Sequence, residues 1–311
     1  MDLLEISKKN SKKNAPLYIK VLSLFSVVRG YNVLLIVIAQ YLASLFIFSP
    51  EKSLRHVLLD LNLYFIVLAT MCVIASGYII NNFYDFEADK INKPIKSKID
   101  AIVSQKIKLR IYFFLNFLGV CFGFLVSFRA ALFFSVYIFL IWFYSHKLKK
   151  YPLTGLFSAA TLAILPFFAI FVYYKNFSEI IFTHAAFLFF ILLIRELIKD
   201  LEKIKGDFTQ NYQTIPVKYG EKFTKILITI LSGLTLNPIY FLLKFHEIGG
   251  MKYYFYLSII TLLFFVILLW MSTSKRNYVA LHLIIKFLIV TGVASLSLID
   301  YSIIIEKLLL K

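Results

Sequence analysis

Long, uninterrupted apolar runs are the feature that most limits what this chain can fold into. Each run is long enough to cross about 30 Å of hydrocarbon as a helix. The runs are continuous and rich in Leu, Ile and Phe, without the short alternating strands of a membrane barrel. Because lipid offers no partners to backbone N–H and C=O groups, such runs must be helices. We predict nine spans, at residues 21–48, 61–82, 107–128, 129–145, 153–174, 179–200, 223–244, 252–272 and 278–303.

Composition supports the same class of protein. Of the 311 residues 60% are hydrophobic, and the mean hydropathy is +0.80. A soluble domain is roughly half apolar. We therefore expect an all-α, polytopic membrane protein.

The basic residues are distributed unequally between the two sides of the membrane, which predicts the orientation of the chain. If the N-terminus is cytoplasmic, 24 of the 34 Lys and Arg residues lie in inside segments, eight lie outside, and Arg29 and Lys286 lie within spans. This bias predicts a cytoplasmic N-terminus and an outside C-terminus, in the inner (cytoplasmic) membrane of the cell. The net charge of +17 then follows from membrane topology and predicts no nucleic-acid partner. Residues 1–20 are predicted to be a cytoplasmic basic tail, and residues 21–311 a single transmembrane domain.

Two long inside connections, at residues 83–106 and 200–222, resemble each other. Each begins at the end of an apolar helix and is rich in Asp, Glu, Lys and Asn. This weak two-fold repeat predicts two half-sites that face one cavity near the cytoplasmic face.

The acids in these connections recur at helical spacing. If the second helix continues through residues 76–90, it places Asn81, Asp85 and Asp89 on one face, at i, i+4 and i+8. Asp200 and Asp207 are two turns apart, with Glu196 one turn earlier. Two clusters of hard oxygen donors suit Mg²⁺, which prefers one or two carboxylates together with water and phosphate oxygens.

Basic side chains beside the acids can contact the remaining charge of a diphosphate. They are Lys93, Lys96, Lys98, Arg195, Lys199, Lys203 and Lys205. The alternative is that the acids cap helix ends at the interface and pair with lysines. Five acids in two matched clusters next to apolar spans favour a site, because an unpaired charge there is costly. Arg29 and Asn32, inside the first span, are also predicted to contact substrate, and the alternative for Arg29 is snorkelling to the interface.

At these residues the chain resembles the UbiA family of intramembrane prenyltransferases. The family's Asn-Asp-x-x-Asp-x-x-x-Asp motif is similar to residues 81–89, and its Asp-x-x-Asp-x-x-x-Asp motif to residues 200–207. Arg29-Gly30-Tyr31-Asn32 resembles the family's Arg-Pro-x-Asn. Other shared landmarks are Lys93-Pro94, Tyr144-Ser145 with Lys147, and Thr214-Ile215-Pro216.

The resemblance implies a nine-helix bundle around a central cavity. It also implies transfer of a prenyl group from a prenyl diphosphate to a lipophilic acceptor, with Mg²⁺ bridging the diphosphate and both motifs. Catalytic roles would fall to Asp85, Asp89, Asp200 and Asp207, and Asn81 would join these aspartates as metal ligands. Further substrate contacts are expected from Asn82, Tyr144 and Lys147.

Two positions depart from the family pattern. Asn82 replaces the leading aspartate of the first motif, and Lys203 replaces the middle aspartate of the second. The site thereby loses two negative charges and gains a positive one. Lys203 can contact diphosphate and do part of a metal's electrostatic work. A weaker metal site and a non-catalytic relative both remain open, and the four retained aspartates favour activity.

The acceptor is predicted from resemblance as well. The segments DFEADKINKP and KDLEKIKGD, followed by TIP, are similar to the branch that adds a geranylgeranyl group to geranylgeranylglycerol phosphate. A phosphate-bearing acceptor would suit the lysines at 93–98 and 147–150. The alternatives are an aromatic acceptor, as in quinone biosynthesis, and a transport-type membrane protein whose acids hold a coupling ion. The acids cluster at one membrane face and not at mid-bilayer, which favours an enzyme whose partners include membrane lipids.

Overall fold

The computed structural model describes residues 16–300, and all regular structure within this range is helical. The predicted all-α class is confirmed. The expectations for residues 1–15 of the tail and for 301–311 lie outside the described residues. The helices are α1 (Leu17–Val27), α2 (Gly30–Ala43), α3 (Leu54–Leu58), α4 (Leu61–Tyr84), α5 (Phe86–Asn92), α6 (Pro94–Asp100), α7 (Gln105–Val126), α8 (Phe128–His146), α9 (Pro152–Tyr174), α10 (Glu179–Thr209), α11 (Ile215–Lys244), α12 (Lys252–Met271) and α13 (Lys275–Ser295).

Within residues 16–300, nine helical segments are long and apolar enough to cross a membrane. They correspond one to one with the nine predicted spans, and the chain is an integral membrane protein. The segments are Gly30–Phe48, Leu61–Tyr84, Gln105–Val126, Phe128–Lys150, Pro152–Tyr174, Glu179–Thr209, Ile215–Lys244, His246–Met271 and Lys275–Leu298.

The first predicted span, 21–48, is wrong in its start because the chain breaks at Arg29. Arg29 has left-handed backbone angles (φ 51°, ψ 55°) and separates α1 from α2. At the next residue, a Cβ on Gly30 would lie 1.9 Å from the Phe25 ring, so any larger residue would displace this ring where α1 meets α2. Residues 17–20, predicted as tail, also belong to helix α1.

Both acid-rich connections are more helical than predicted. In the first, α5 and α6 fill most of residues 86–100, and the second helix bends at Asp85 instead of running straight through residue 90. The Asp85 N–H still donates to the Asn81 carbonyl at 2.9 Å, and the Asp89 N–H to the Asp85 carbonyl at 2.8 Å. The i to i+4 register of the three motif residues is therefore kept. In the second connection α10 continues to Thr209, which leaves only five residues before α11.

Side-chain caps and prolines explain where several helices begin. Asp60 accepts hydrogen bonds from the N–H groups of Asn62 and Leu63 at the start of α4. Ser104 and Ser127 cap α7 and α8 in the same way. Proline occupies the first position of α6 and of α9, where its missing N–H costs nothing.

Small residues bring the spans close together, as expected between helices in lipid. A Cβ on Gly119 of α7 would lie 2.8 Å from the Val73 side chain of α4, and a Cβ on Gly123 would lie 2.9 Å from the Ala131 backbone of α8. A hydrogen bond also joins the two acid-rich connections: Asn92, at the end of α5, accepts from the Gly206 N–H of α10 at 3.1 Å. This contact fixes the first acid-rich connection against the second.

Candidate active site

A cavity of about 430 Å³ lies within the bundle, lined by α2, α4, α8, α9, α10 and α13. Its polar end lies where α4 and α10 enter the acid-rich connections. Its remaining wall is mostly apolar and contains Leu35, Ile36, Ala39, Ile74, Ile141, Leu162, Ala163, Ile170, Leu188 and Leu192. The cavity thus has a charged end and an apolar interior.

Ten of the predicted site residues line this cavity. From the acid set they are Asn81, Asp85, Asp200 and Asp207. From the substrate-contact set they are Arg29, Asn32, Tyr144, Arg195, Lys199 and Lys203. Side chains from both predicted half-sites thus lie on the wall of one cavity.

Asp85 is held by a lysine that the sequence did not single out. Lys149, at the end of the fourth span, lies with its Nζ 2.5 Å from Asp85 Oδ1 and 3.5 Å from Asn81 Oδ1. Tyr212 donates its phenol proton to the same Asp85 oxygen at 3.4 Å. Burial would raise the pKa of the Asp85 carboxyl, but the charges of Lys149 and Lys203 outweigh burial, and the pKa lies below its usual value. Asp85 is therefore ionised at neutral pH.

Lys203 stands among the acids of both motifs. Its side chain is buried, and its charge interacts with those of Asp85, Asp89 and Asp207. An ammonium in this position offsets the mutual repulsion of the carboxylates. The lysine that departs from the family pattern is thus a structural counter-ion of the acid group.

Arg29 and Asn32, which also line the cavity, both contact the side chain of Tyr78. The Arg29 guanidinium lies 5.0 Å from the centre of the Tyr78 ring, and Asn32 Nδ2 donates to the Tyr78 hydroxyl at 3.3 Å. Arg29 has left-handed backbone angles and lines the cavity. Backbone strain of this kind is typical of ligand-binding positions.

Asn82 and Lys96 face a different polar cluster. Asn82 Nδ2 donates to Asp100 Oδ2 at 3.1 Å, and Lys108 Nζ, fully buried, donates to Asn82 Oδ1 at 2.9 Å. Lys96 and Ser26 also bond to Asp100. The prediction that Asn82 and Lys96 contact substrate disagrees with this placement. The Asn82 side chain points about 100° away from that of Asn81 on the helix, and in this direction it meets Asp100 and Lys108.

Three other predicted residues also lie outside the cavity lining. Lys147 is exposed, two residues from the buried Lys149. Asp89 is half-buried, and its charge acts on Lys203. Lys93 lies 3.9 Å from Glu202, and burial, together with the charges of Lys203 and Arg29, lowers its pKa to about 7. Lys93 is thus partly neutral at pH 7, and an arriving anion would raise its pKa.

The donor set fits Mg²⁺ only as a shared site. Among residues 16–300, no three Asp, Glu, His or Cys side chains lie close enough to hold a metal by themselves. Mg²⁺, however, commonly takes one or two carboxylates and completes its shell with water and phosphate oxygens. Asp85 from one motif and Asp200 and Asp207 from the other offer such carboxylates at one end of the cavity. A diphosphate lying between the motifs would supply the rest.

Comparison with known proteins agrees with the fold and the motifs. A model of the UbiA prenyltransferase family matches residues 33–290. A digeranylgeranylglyceryl phosphate synthase of Methanosphaera stadtmanae is 29% identical over 230 residues, which cover 72% of this chain and 83% of the relative. One of Sulfolobus acidocaldarius is 33% identical over 199 residues, 60% of this chain and 69% of the relative.

Two solved structures share the architecture. One comes from work on digeranylgeranylglyceryl phosphate synthase in membranes, with a TM-score of 0.65 at 20% identity over 89% of this chain and 97% of that one. The other is a UbiA homolog from Archaeoglobus fulgidus bound to DMAPP and Mg²⁺, with a TM-score of 0.64 at 16% identity over 88% of this chain and 99% of that one. At these identities the likeness shows the fold.

Proposed function

Because this chain belongs to the UbiA prenyltransferase family, we propose that it transfers a prenyl group from a prenyl diphosphate to a glycerol-phosphate ether lipid, with Mg²⁺ as cofactor. The observation that carries this proposal is the cavity that joins carboxylates of both motifs to an apolar interior. The charged end suits a diphosphate and the apolar wall suits a prenyl chain. Two relatives named digeranylgeranylglyceryl phosphate synthase support the ether-lipid acceptor.

Charged residues at one end of the cavity would bind the diphosphate end of the donor. Asp85, Asp200 and Asp207 would hold the Mg²⁺, whose positive charge neutralises the diphosphate as it leaves. Lys203 and Lys199 line the same end and would contact diphosphate oxygens directly. Asp89, at the margin of this end, is proposed to act with these aspartates through its charge on Lys203.

The reacting carbon would then lie where aromatic rings replace water. Tyr78, Tyr137 and Tyr144 line the same cavity as the charged residues and the apolar wall. As the allylic C–O bond breaks, their faces stabilise the positive charge that remains on the prenyl group. The acceptor oxygen forms the new C–O bond, and its proton can pass to the departing diphosphate.

Transfer by the purified protein tests this proposal. We expect radiolabelled geranylgeranyl diphosphate and geranylgeranylglyceryl phosphate to give a double-chain phospholipid in the presence of Mg²⁺, and no product in the presence of EDTA. An aromatic acceptor such as 4-hydroxybenzoate, offered in parallel, should remain unmodified. Product on the aromatic acceptor alone would assign the enzyme to quinone-type chemistry and would contradict the ether-lipid proposal.

We also propose that one transmembrane domain spans the inner membrane, with the acid-rich connections in the cytoplasm among membrane lipids. The distribution of Lys and Arg supports this orientation. A cysteine introduced at the exposed Lys98, in a chain whose Cys72 and Cys121 are replaced by serine, should react with a membrane-impermeant maleimide only in inverted vesicles. A cysteine at Lys175, between α9 and α10, should react only in right-side-out vesicles, and the reverse pattern would invert the topology.

A further inference from the structure

Lys286 is a charge inside the last span whose role neither the motifs nor the fold explains. It lies 11 residues into α13, about 16 Å along the helix from Lys275. Its side chain is half-buried and lines the cavity. Within residues 16–300, it has no hydrogen bond and no acidic partner within ion-pair distance. A charge at this depth is expensive unless something binds it.

The register of two helices explains where Lys286 lies. Glu202 of α10 and His282 of α13 meet at 2.9 Å, and the two helices run in opposite directions. One turn beyond His282, Lys286 is therefore level with the turn of α10 that precedes Glu202. Its ammonium interacts with the positive charges of Arg195, Arg29 and Lys199 and with the negative charge of Glu202, which already pairs with His282.

This part of the cavity wall has more positive than negative charge. Glu196 accepts hydrogen bonds from both Arg195, at 3.3 Å, and Lys199, so its negative charge is already neutralised. Arg29 has the Tyr78 ring and no carboxylate as its partner among the described residues. Lys286 and Arg29 are thus left as two cations that face one space. Such a pair, partly removed from water, matches a second anion in addition to the donor diphosphate.

These cations lie beside the donor end. Lys286 is level with the turn of α10 that contains Lys199 and Asp200, about 10 Å along that helix from Asp207, and the charge of Arg29 acts on Lys203. Beyond Lys286 the same face of α13 continues with the apolar Ile289, Val290 and Val293. An anionic headgroup at Lys286 could therefore extend a hydrocarbon chain along an apolar wall.

We propose that Lys286, with Arg29, binds the phosphate group of the acceptor and so forms a second anion site beside the donor diphosphate. This assignment rests on the proposed function, and it moves the acceptor phosphate away from the lysines at 93–98 and 147–150. It also makes Lys286 a specificity-determining residue, because a site built to bind a phosphate rejects an acceptor that lacks one.

The test is a comparison of acceptors in variants of Lys286. Lys286→Met should raise the KM for geranylgeranylglyceryl phosphate on the order of 10- to 100-fold, the value of a lost charge-assisted contact. The KM for geranylgeranyl diphosphate should be unchanged. Lys286→Arg should retain most of the acceptor affinity, and Lys222→Met, on the exposed face of α11, serves as the matched control.

A dephosphorylated acceptor makes the test specific. Removing the phosphate should weaken binding to the wild-type protein more than binding to Lys286→Met, because only the contact with Arg29 remains to be lost in the variant. Competition by inorganic phosphate separates the two sources of a phosphate group. We expect competition only far above the acceptor KM, and competition at equal concentration would assign the site to free phosphate.

The outcomes are separable from those of the proposed function. Transfer to geranylgeranylglyceryl phosphate with an unchanged acceptor KM in both Lys286→Met and Lys286→Gln would overturn this assignment alone. Transfer to an aromatic acceptor and to no phosphate-bearing one would overturn the proposed function. Thermal unfolding in detergent identifies a variant that fails to fold, and if Lys286→Met is such a variant, Lys286→Gln carries the comparison.

Discussion

Asp85→Asn is expected to abolish prenyl transfer, with a loss on the order of 10³-fold in kcat/KM. Asp85 is the one carboxylate of the first motif that lines the cavity, and the substitution keeps its shape while removing its charge. Glu87→Gln is the matched control two residues away. The Glu87 side chain is 60% exposed and pairs with Lys90 at the surface, so its loss should leave transfer unchanged.

The partner of Asp85 allows its chemical role to be separated from its structural one. In Asp85→Asn the buried Lys149 ammonium loses its counter-ion, which costs about 3–5 kcal/mol of stability for a broken buried pair. Lys149→Met in the same chain removes the orphaned charge, and we expect thermal stability to return while transfer stays absent. Lys149→Met alone, which keeps the carboxylate, should retain measurable transfer. Recovery of transfer in the double variant would show that Asp85 serves only to hold Lys149.

The helical architecture could be predicted from the sequence because lipid leaves the backbone few choices. Nine long apolar runs must be helices, and all nine match a helical span within residues 16–300. The break at Arg29 gave no such signal. It depends on the packing of Phe25 over Gly30, a contact between two helices that periodicity does not contain.

The acids of the candidate site could be predicted because they recur at helical spacing. Asp85, Asp200 and Asp207 share the cavity because residues spaced by whole turns lie on one helix face. The choice between neighbouring lysines was not predictable. Lys147 and Lys149 differ by two residues at the end of one helix, and the turn Leu148–Lys150 buries Lys149 and exposes Lys147. Asn82 was misplaced because a family motif gives the identity of a residue and not the direction of its side chain.

Lys203→Asp is expected to retain transfer but only at higher Mg²⁺ concentrations. The change restores the family's aspartate and removes the cation that now offsets Asp85, Asp89 and Asp207. Without Mg²⁺, the acid group then consists of like charges in a buried place, so the variant should unfold at a lower temperature than the wild type. Added Mg²⁺ should raise its unfolding temperature more than that of the wild type, because a ligand that binds only the folded state stabilises it in proportion to occupancy.

Two further variants test whether the charge of Lys203 is what matters. Lys203→Met, which removes the cation without adding an anion, should lie between the wild type and Lys203→Asp in both unfolding temperature and Mg²⁺ requirement. Lys205→Asp makes the same charge change on an exposed position of α10 and should alter neither. If Lys203→Asp and Lys205→Asp behave alike, Lys203 does not act as the counter-ion of the acid group. If instead Lys203→Asp transfers prenyl groups without Mg²⁺, the assignment of the aspartates as metal ligands is wrong.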